Sequence, residues 1–162
     1  MFQLKETVAI GRPAAEAWAV LVDFPHVPAW ERDVLEVRQA SPGSPGVGTT
    51  LVARRVYAGR ATVVDCRIVA WQDGRSVTME IIGGPTRRTF ACYAVEPIGD
   101  KACRVTYSVE GEMRSLLRWL TPIIPAAGRR LVRTNLGALK RLIEGATTDE
   151  TPTRDVSHQD RA

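Results

Sequence analysis

The sequence has few of the residues that build metal centres and disulfide frameworks. Its 162 residues include three cysteines, Cys66, Cys92 and Cys103, and two histidines, His26 and His158. An odd number of cysteines without metal-ligand spacing argues against both a zinc site and a disulfide framework. One cysteine falls on each of three predicted strands, which is typical of small buried apolar residues. We therefore expect no metal and no cofactor.

Long apolar segments are also absent. No stretch approaches the roughly 18 to 20 consecutive apolar residues of a membrane span, and the first ten residues alternate polar and apolar side chains instead of forming a signal peptide. The composition, 44% hydrophobic and 25% charged, is that of an ordinary globular domain. We expect a soluble cytoplasmic protein with one domain over residues 1–145 and a disordered polar tail over residues 146–162.

Positive charge is concentrated towards the C-terminus. The net charge is +4, yet residues 113–145 alone hold seven cationic residues against one acidic residue, Glu144. Helical spacing puts Arg129, Arg130 and Arg133 on one polar side. This pattern fits either a solvated helix face or a docking surface for an acidic partner or a membrane. Nucleic acid is not expected, because no aromatic stacking motif or zinc module accompanies the arginines.

The spacing of apolar residues predicts a mixed α and β chain. Phe2–Ile10 alternates as a strand does, and residues 13–22 begin with proline and continue with helix formers. The prolines of residues 23–32 predict a bend before a second short helix around Pro28 to Asp33. Six further strands, separated by turn-forming residues, are predicted at Leu35–Ala40, Thr49–Val56, Ala61–Trp71, Val77–Ile82, Arg87–Glu96 and Ala102–Val109.

The last predicted element is a long amphipathic helix from Pro122 to Glu144. At about 100° per residue, one side gathers the apolar residues Ile124, Ala127, Leu131, Val132, Leu136, Ala138, Leu139, Leu142 and Ile143. Gly128 and Asn135 fall within this apolar side. A buried amide without partners costs about 1 to 3 kcal/mol, so Asn135 needs either a ligand oxygen or a sheet side chain or buried water.

This order of elements predicts an α+β fold in which a seven-stranded curved antiparallel sheet wraps around the long C-terminal helix, with two short helices after the first strand. A strongly bent sheet and one helix seldom fill the space between them. A concave apolar cavity between sheet and helix is the expected consequence.

The sequence resembles the START-like or helix-grip superfamily, also called SRPBCC, and within it the polyketide cyclase/dehydrase and lipid-transport group. The residues that carry this resemblance are Ile10, Pro13, Trp18, Asp23, Phe24, Pro28 and Trp30, with support from Gly48-Thr49, Val95-Glu96-Pro97 and residues 136–144. The resemblance covers Phe2 to Gly145 and implies the helix-grip fold. It leaves the activity open, because members range from cyclases to sterol, lipid and hormone carriers.

Candidate ligand-binding residues are those that the predicted strands and helix place towards the cavity. They are Trp30, Met79, Tyr93, Tyr107, Ile124, Leu131, Asn135 and Leu139. For Trp30 and Met79, ordinary core packing is an equally open interpretation. The basic side chains Arg129, Arg130 and Arg133 are the candidate docking residues for an anionic membrane surface or, as the resemblance to the cyclases implies, an acyl-carrier protein.

The sequence contains no acid and base at a diagnostic spacing, so we assign no catalytic residue from it. Arg54, Arg67, Glu80 and Arg88 lie on predicted strands, where a shift of one residue moves a side chain from solvent to cavity. Two functions remain open. The first is binding of a hydrophobic small molecule, and the alternative is a polyketide aromatase/cyclase acting on a carrier-protein-bound chain.

Overall fold

A computed structural model of the chain describes residues 1–113 and 124–145. In chain order, the elements of these residues are β1 (Phe2–Ile10), α1 (Ala14–Leu21), a 3₁₀ helix (Phe24–Ala29), β2 (Val34–Gln39), β3 (Thr50–Tyr57), β4 (Arg60–Gln72), β5 (Ser76–Ile82), β6 (Thr86–Ile98), β7 (Ala102–Met113) and α2 (Ile124–Gly145). The predicted tail, and the predicted start of the last helix at Pro122, lie outside the described residues.

The strands form one antiparallel sheet in the order β1-β7-β6-β5-β4-β3-β2. Neighbours in sequence pair as hairpins from β2 to β7, whereas β1 pairs with the last strand, with Phe2 opposite Gly111. The helix α2 packs against β1, and α1 packs against β6 and β7. The predicted α+β helix-grip fold, a curved sheet around a C-terminal helix, is therefore confirmed.

The buried residues of the sheet follow the alternation of the sequence. On β7, for example, Cys103, Val105 and Tyr107 are buried, because successive side chains of a strand point to opposite faces. Glu6 breaks this pattern on β1, since it takes a position in phase with Leu4. Its side chain is 12% exposed and forms an ion pair with Arg133 of α2 at 2.8 Å. The acidic residue that interrupts the alternation of β1 therefore contacts the C-terminal helix.

The segment after α1 differs from the prediction. A second helix was expected around Pro28 to Asp33, but the helical turn is a 3₁₀ helix at Phe24–Ala29 and the chain leaves it at Trp30. One proline lies at the start of the helix, where its missing N–H would be unpaired in any case. Residues 31–33 instead form a turn into β2, closed by a hydrogen bond from Val34 N–H to the Glu31 carbonyl at 3.1 Å.

The buried face of α2 is narrower than the sequence indicates. Leu136, Leu139 and Ile143 are buried, but Leu131 and Leu142, which were placed on the same apolar side, are 39% and 42% exposed. The difference arises because α2 contacts the sheet mainly along β1, so the margins of its apolar side stay in contact with solvent. No helix within the described ranges is long and apolar enough to cross a membrane.

Gly128 packs closely against β1. A Cβ atom at this position would lie 3.1 Å from the Leu4 Cδ1 atom of β1, which is tighter than an ordinary contact. A side chain there would therefore require the end of the Leu4 side chain to shift by a few tenths of an ångström. The glycine on the apolar side of α2 thus has a packing role.

Candidate functional site

Two neighbouring apolar cavities lie on the concave face of the sheet and share a set of polar lining residues. The first, of about 140 Å³, lies between α2 and the start of β1, and we call it the larger lobe. The second, of about 40 Å³, lies between the sheet and the segment that holds α1 and the 3₁₀ helix, and we call it the smaller lobe. The residues common to both are Glu31, Arg55, Tyr93 and Tyr107.

The size of the lobes limits what they hold as they stand. A dry apolar cavity of about 150 Å³ accommodates a molecule the size of benzene. The larger lobe therefore fits one aromatic ring or a short aliphatic group. A fused-ring molecule or an acyl chain must displace α2 or extend past the exposed rim at Leu131.

A charged cluster lies where the lobes meet. The Arg55 guanidinium donates through Nη2 to Glu31 Oε2 at 3.0 Å and to Asp33 Oδ2 at 2.8 Å. The three side chains are 16%, 7% and 12% exposed respectively. One cation is thus held between two carboxylates in a largely dry environment, so the cluster carries an excess negative charge when both acids are ionised.

Local structure brings these three residues together. Arg55 follows Leu51 and Ala53 at every second position of β3, so all three point to the concave face. Asp33 ends the turn that precedes β2, and its carbonyl accepts a hydrogen bond from the Val56 N–H at 2.8 Å. The pairing of β2 with β3 therefore places both carboxylates beside the guanidinium.

Asn135 connects this cluster to α2. Its Nδ2 donates to Asp33 Oδ1 at 3.0 Å, and its Oδ1 accepts from the Arg32 backbone N–H at 3.1 Å. The residue is 7% exposed and lines the larger lobe. The buried amide that the sequence indicates therefore has partners on the turn before β2, and one of them belongs to the charged cluster.

Three aromatic side chains complete the wall. The Tyr93 hydroxyl donates a hydrogen bond to Glu31 Oε1. The rings of Tyr93 and Tyr107, on adjacent strands, have centroids 4.7 Å apart, and Trp30 meets Tyr93 edge-on at 5.6 Å. These contacts fix the ring positions around the cluster.

Several donors of this wall have no acceptor. The Trp30 Nε1–H is buried without a hydrogen-bond partner in the described residues. The Tyr107 hydroxyl and Arg55 Nη1 also make no hydrogen bond within the described ranges, although neither atom is fully buried. All three residues line the larger lobe, so an acceptor that enters from the cavity, a ligand oxygen or a water, can pair with these donors.

The protonation of the site follows from its burial. Burial raises the pKa of Glu31, although the Arg55 guanidinium opposes this shift. Burial and the Glu31 carboxylate raise the pKa of Tyr93, and burial raises the pKa of Tyr107, so both hydroxyls stay protonated. Burial also raises the pKa of Cys66, in the smaller lobe, to about 11, so its thiol is not a nucleophile at neutral pH.

The structure brings most of the predicted ligand-binding residues to the lobes. Trp30, Leu131 and Asn135 line the larger lobe, Met79 lines the smaller, and Tyr93 and Tyr107 line both. Leu139 is fully buried and lines neither lobe. The side chain of Ile124 lies outside the described residues.

The charged cluster was missed by the sequence analysis. The charged strand residues to which the sequence draws attention are others, and none of them lines a lobe: Arg67 pairs with Glu80, Arg88 lies near Glu112, and Arg54 is exposed. The signal that could have revealed Arg55 is the alternation along β3. Arg55 lies two residues after Ala53, on the side of the strand that carries the buried apolar residues. Glu31 and Asp33 carry no such periodicity, because they lie on a turn.

The predicted docking arginines differ in their surroundings. Arg133 and Arg129 lie 2.8 and 4.0 Å from the Glu6 carboxylate, so an internal anion partly neutralises them. Arg130 is exposed and makes no ion pair within the described part of the chain. In the same part of the chain, no three His, Cys, Asp or Glu side chains come together as a metal-binding group.

Comparison with known proteins adds to this geometry. Residues 1–144 match the family model described as polyketide cyclase / dehydrase and lipid transport. The chain belongs to this family. No curated protein matches its sequence.

Among solved structures, the family member is similar to an aromatase/cyclase, Zhui, from a Streptomyces species, with a TM-score of 0.77 and 13% identity over 88% of this chain and 93% of that one. It is similar to a START superfamily protein from Mycobacterium smegmatis, with a TM-score of 0.67 and 14% identity over 89% and 95%. The norcoclaurine synthase of Thalictrum flavum gives 0.67 and 16% over 90% and 95%. At these identities the likeness shows the fold.

Proposed function

We propose that the protein binds a hydrophobic small molecule, a polyketide, lipid or similar compound, in the cavity between the sheet and α2. The observation that carries this proposal is the apolar cavity whose wall presents unpaired donors from Trp30, Arg55 and Tyr107. Apolar walls with a few convergent polar groups are the usual composition of a small-molecule site. Membership of the family supports the same function.

Native mass spectrometry of freshly purified protein tests the proposal, with denaturing extraction to release any bound compound. We expect an adduct that is lost on denaturation and is absent from Val132→Trp, because the indole fills the larger lobe. The matched control is Val63→Trp, on the outer face of β4 at 62% exposure, which should keep the adduct. An adduct unchanged in Val132→Trp would place the ligand elsewhere.

The second candidate is a polyketide aromatase/cyclase, and the observation that favours it is the position of Glu31. Its carboxylate can take a proton from a carbon between two carbonyls, and the electron pair moves to oxygen as an enolate, which Arg55 Nη1 and the Tyr107 hydroxyl can stabilise. The enolate carbon then forms a bond to a second carbonyl carbon of the same chain. The resulting alkoxide takes the proton back from Glu31, so the step is balanced without a co-reactant.

Solvent deuterium exchange into the methylene group of benzoylacetone, a single-ring compound whose CH₂ lies between two carbonyls, tests this candidate when it is followed by NMR. We expect acceleration by the wild type and a loss on the order of 10²-fold in Glu31→Gln, since general base catalysis contributes about that much. Glu80→Gln, an outer-face glutamate that is also beside an arginine, is the matched control. Binding of the ketone without any acceleration of exchange would favour a carrier over a cyclase.

A cyclase of this kind needs a carrier protein, and the basic side of α2 is the candidate docking surface. Its residues are Arg129, Arg130 and Arg133, which lie in the N-terminal half of α2. The same half of the helix contributes Gly128 and Leu131 to the larger lobe. Acyl-carrier proteins are acidic, so charge attraction would bring a tethered chain to the cavity. Binding to anionic vesicles instead would favour lipid transport. The cytoplasmic location of the protein stays a prediction.

A further inference from the structure

The charge of the cavity wall limits which ligands it accepts. Among the described residues that line the two lobes, the charged side chains are Glu31, Asp33 and Arg55. The guanidinium already holds both carboxylates within 3.0 Å. The cluster therefore has a net charge of −1 when both acids are ionised and is neutral when Glu31 is protonated, and in neither state does it offer an unbalanced cation.

The unpaired groups of the wall have the opposite character. The Trp30 Nε1–H, the Tyr107 hydroxyl and Arg55 Nη1 are all hydrogen-bond donors without an acceptor among the described residues, and Trp30 and Tyr107 are 2% and 9% exposed. An acceptor oxygen entering the larger lobe satisfies these donors. Because the net charge nearby is zero or negative, an acceptor without charge does so at no electrostatic cost.

Combining the two observations, we infer that the cavity selects apolar molecules that carry a neutral carbonyl oxygen and rejects the corresponding carboxylates. This inference rests on the proposed function and names the chemical class of its ligand. A ligand carboxylate in the larger lobe would lie beside the carboxylates of Glu31 and Asp33 and would be repelled by them. It could not take their place at Arg55, because both already contact the guanidinium. Like charges about 6 Å apart at an effective dielectric constant near 20 weaken binding by at least tenfold.

A matched pair of probes tests the selection. Acetophenone and benzoate share the single ring that the larger lobe can hold, and they differ in a methyl group against a charged oxygen. Titration of the full chain with each, followed by isothermal calorimetry at neutral pH, should give at least tenfold tighter binding of the ketone. Equal binding, or tighter binding of the carboxylate, would overturn the selection while leaving the proposed function intact.

Removal of one carboxylate should weaken the selection. In Glu31→Gln the shape is kept and one carboxylate is lost, so the affinity for benzoate should rise at least tenfold relative to that for acetophenone. Asp33→Asn provides the same test if the first variant does not fold. The outer-face variant Glu80→Gln should change neither affinity.

The outcomes separate the two claims. A carboxylate affinity that stays low in both Glu31→Gln and Asp33→Asn would mean that the shape of the cavity, and not its charge, excludes the anion, which overturns the inference. Binding of neither probe to the wild type or to any variant would contradict the proposed function itself, and the inference would be lost with it.

Discussion

At the scale of single residues, Arg55 determines whether two buried acids are tolerated. Its guanidinium is the cation that both Glu31 and Asp33 contact. Replacing it with an apolar residue of similar length leaves two carboxylates in a dry site with no counter-ion. We expect Arg55→Met to lower the free energy of unfolding by about 3 to 5 kcal/mol.

Urea unfolding measures this loss, and the neighbouring residue provides the control. Arg54 lies on the outer face of β3 and is exposed, so Arg54→Met should change the free energy of unfolding by less than about 0.5 kcal/mol. Equal effects of the two variants would show that the cluster is not the reason for the stability of this region.

Asn135 allows a second prediction at this scale. Asn135→Leu removes two hydrogen bonds and leaves the Arg32 N–H and one Asp33 oxygen without their partners. We expect a loss of about 1 to 3 kcal/mol in thermal or urea unfolding together with a changed affinity for apolar probes. An affinity that stays the same for every ligand would remove Asn135 from the binding site.

The sequence predicts the aromatic wall better than the charges behind it. Tyr93 and Tyr107 follow the alternation of long strands, so their direction can be inferred from neighbours on the same strand. Glu31 and Asp33 lie on a turn, where no periodicity exists, and their meeting with Arg55 depends on the pairing of β2 with β3. Contacts between separate elements of this kind are not encoded in a local pattern.

At the scale of elements, the basic side of α2 contains two different kinds of arginine. Arg133 contacts Glu6 of β1, whereas Arg130 is exposed and without an ion pair in the described ranges. We expect Arg130→Glu to weaken association with an acyl-carrier protein or anionic vesicles without changing the melting temperature. Raising the salt concentration should have the same effect on binding, because exposed charges are screened over about 8 Å at physiological ionic strength.

Arg133→Glu should instead lower the melting temperature, because it places two glutamates in contact across α2 and β1. Differential scanning fluorimetry distinguishes the two variants. A further change, Glu6→Arg in the Arg133→Glu background, should recover part of the loss, since it restores an ion pair with reversed polarity. If it does not, the Glu6 contact contributes little to the packing of α2.

The secondary structure is predictable where a local pattern is long. The strands β3 to β7 lie within four residues of their predicted ends, because alternation and turn residues are properties of contiguous sequence. The second short helix was predicted too far along the chain, around Pro28 to Asp33, whereas the 3₁₀ helix is at Phe24–Ala29. Two closely spaced prolines indicate that α1 is interrupted, but they do not indicate whether the next helical turn forms before or after the second proline. The exposure of Leu131 and Leu142 depends on how much of α2 the sheet covers.

At the scale of the whole molecule, the buried acid makes stability depend on pH. Burial raises the pKa of Glu31 above its ordinary value of 4.5, so the folded protein holds this proton more tightly than the unfolded chain does. Glu31 therefore contributes stability that is fully present below pH 4.5 and is lost as the pH rises through the raised pKa.

Unfolding free energies of the wild type and Glu31→Gln, compared from pH 4 to 8, measure this dependence. The difference should shift in favour of the variant as the pH rises, because glutamine does not titrate. Other groups, including Glu144, whose pKa a hydrogen bond from the Gly11 N–H lowers, cancel in the comparison. A difference that does not vary with pH would mean that Glu31 has the same pKa in both states.

The pairing of β1 with β7 has a consequence for synthesis of the chain. Phe2 lies opposite Gly111, so the start of β1 is synthesised more than a hundred residues before the strand residue that pairs with it. The hairpins from β2 to β6 can form as they emerge, while β1 presents an open strand edge to other nascent chains. Closing this long loop is expected to be the slow step, and a burst of aggregation should follow premature termination before β7.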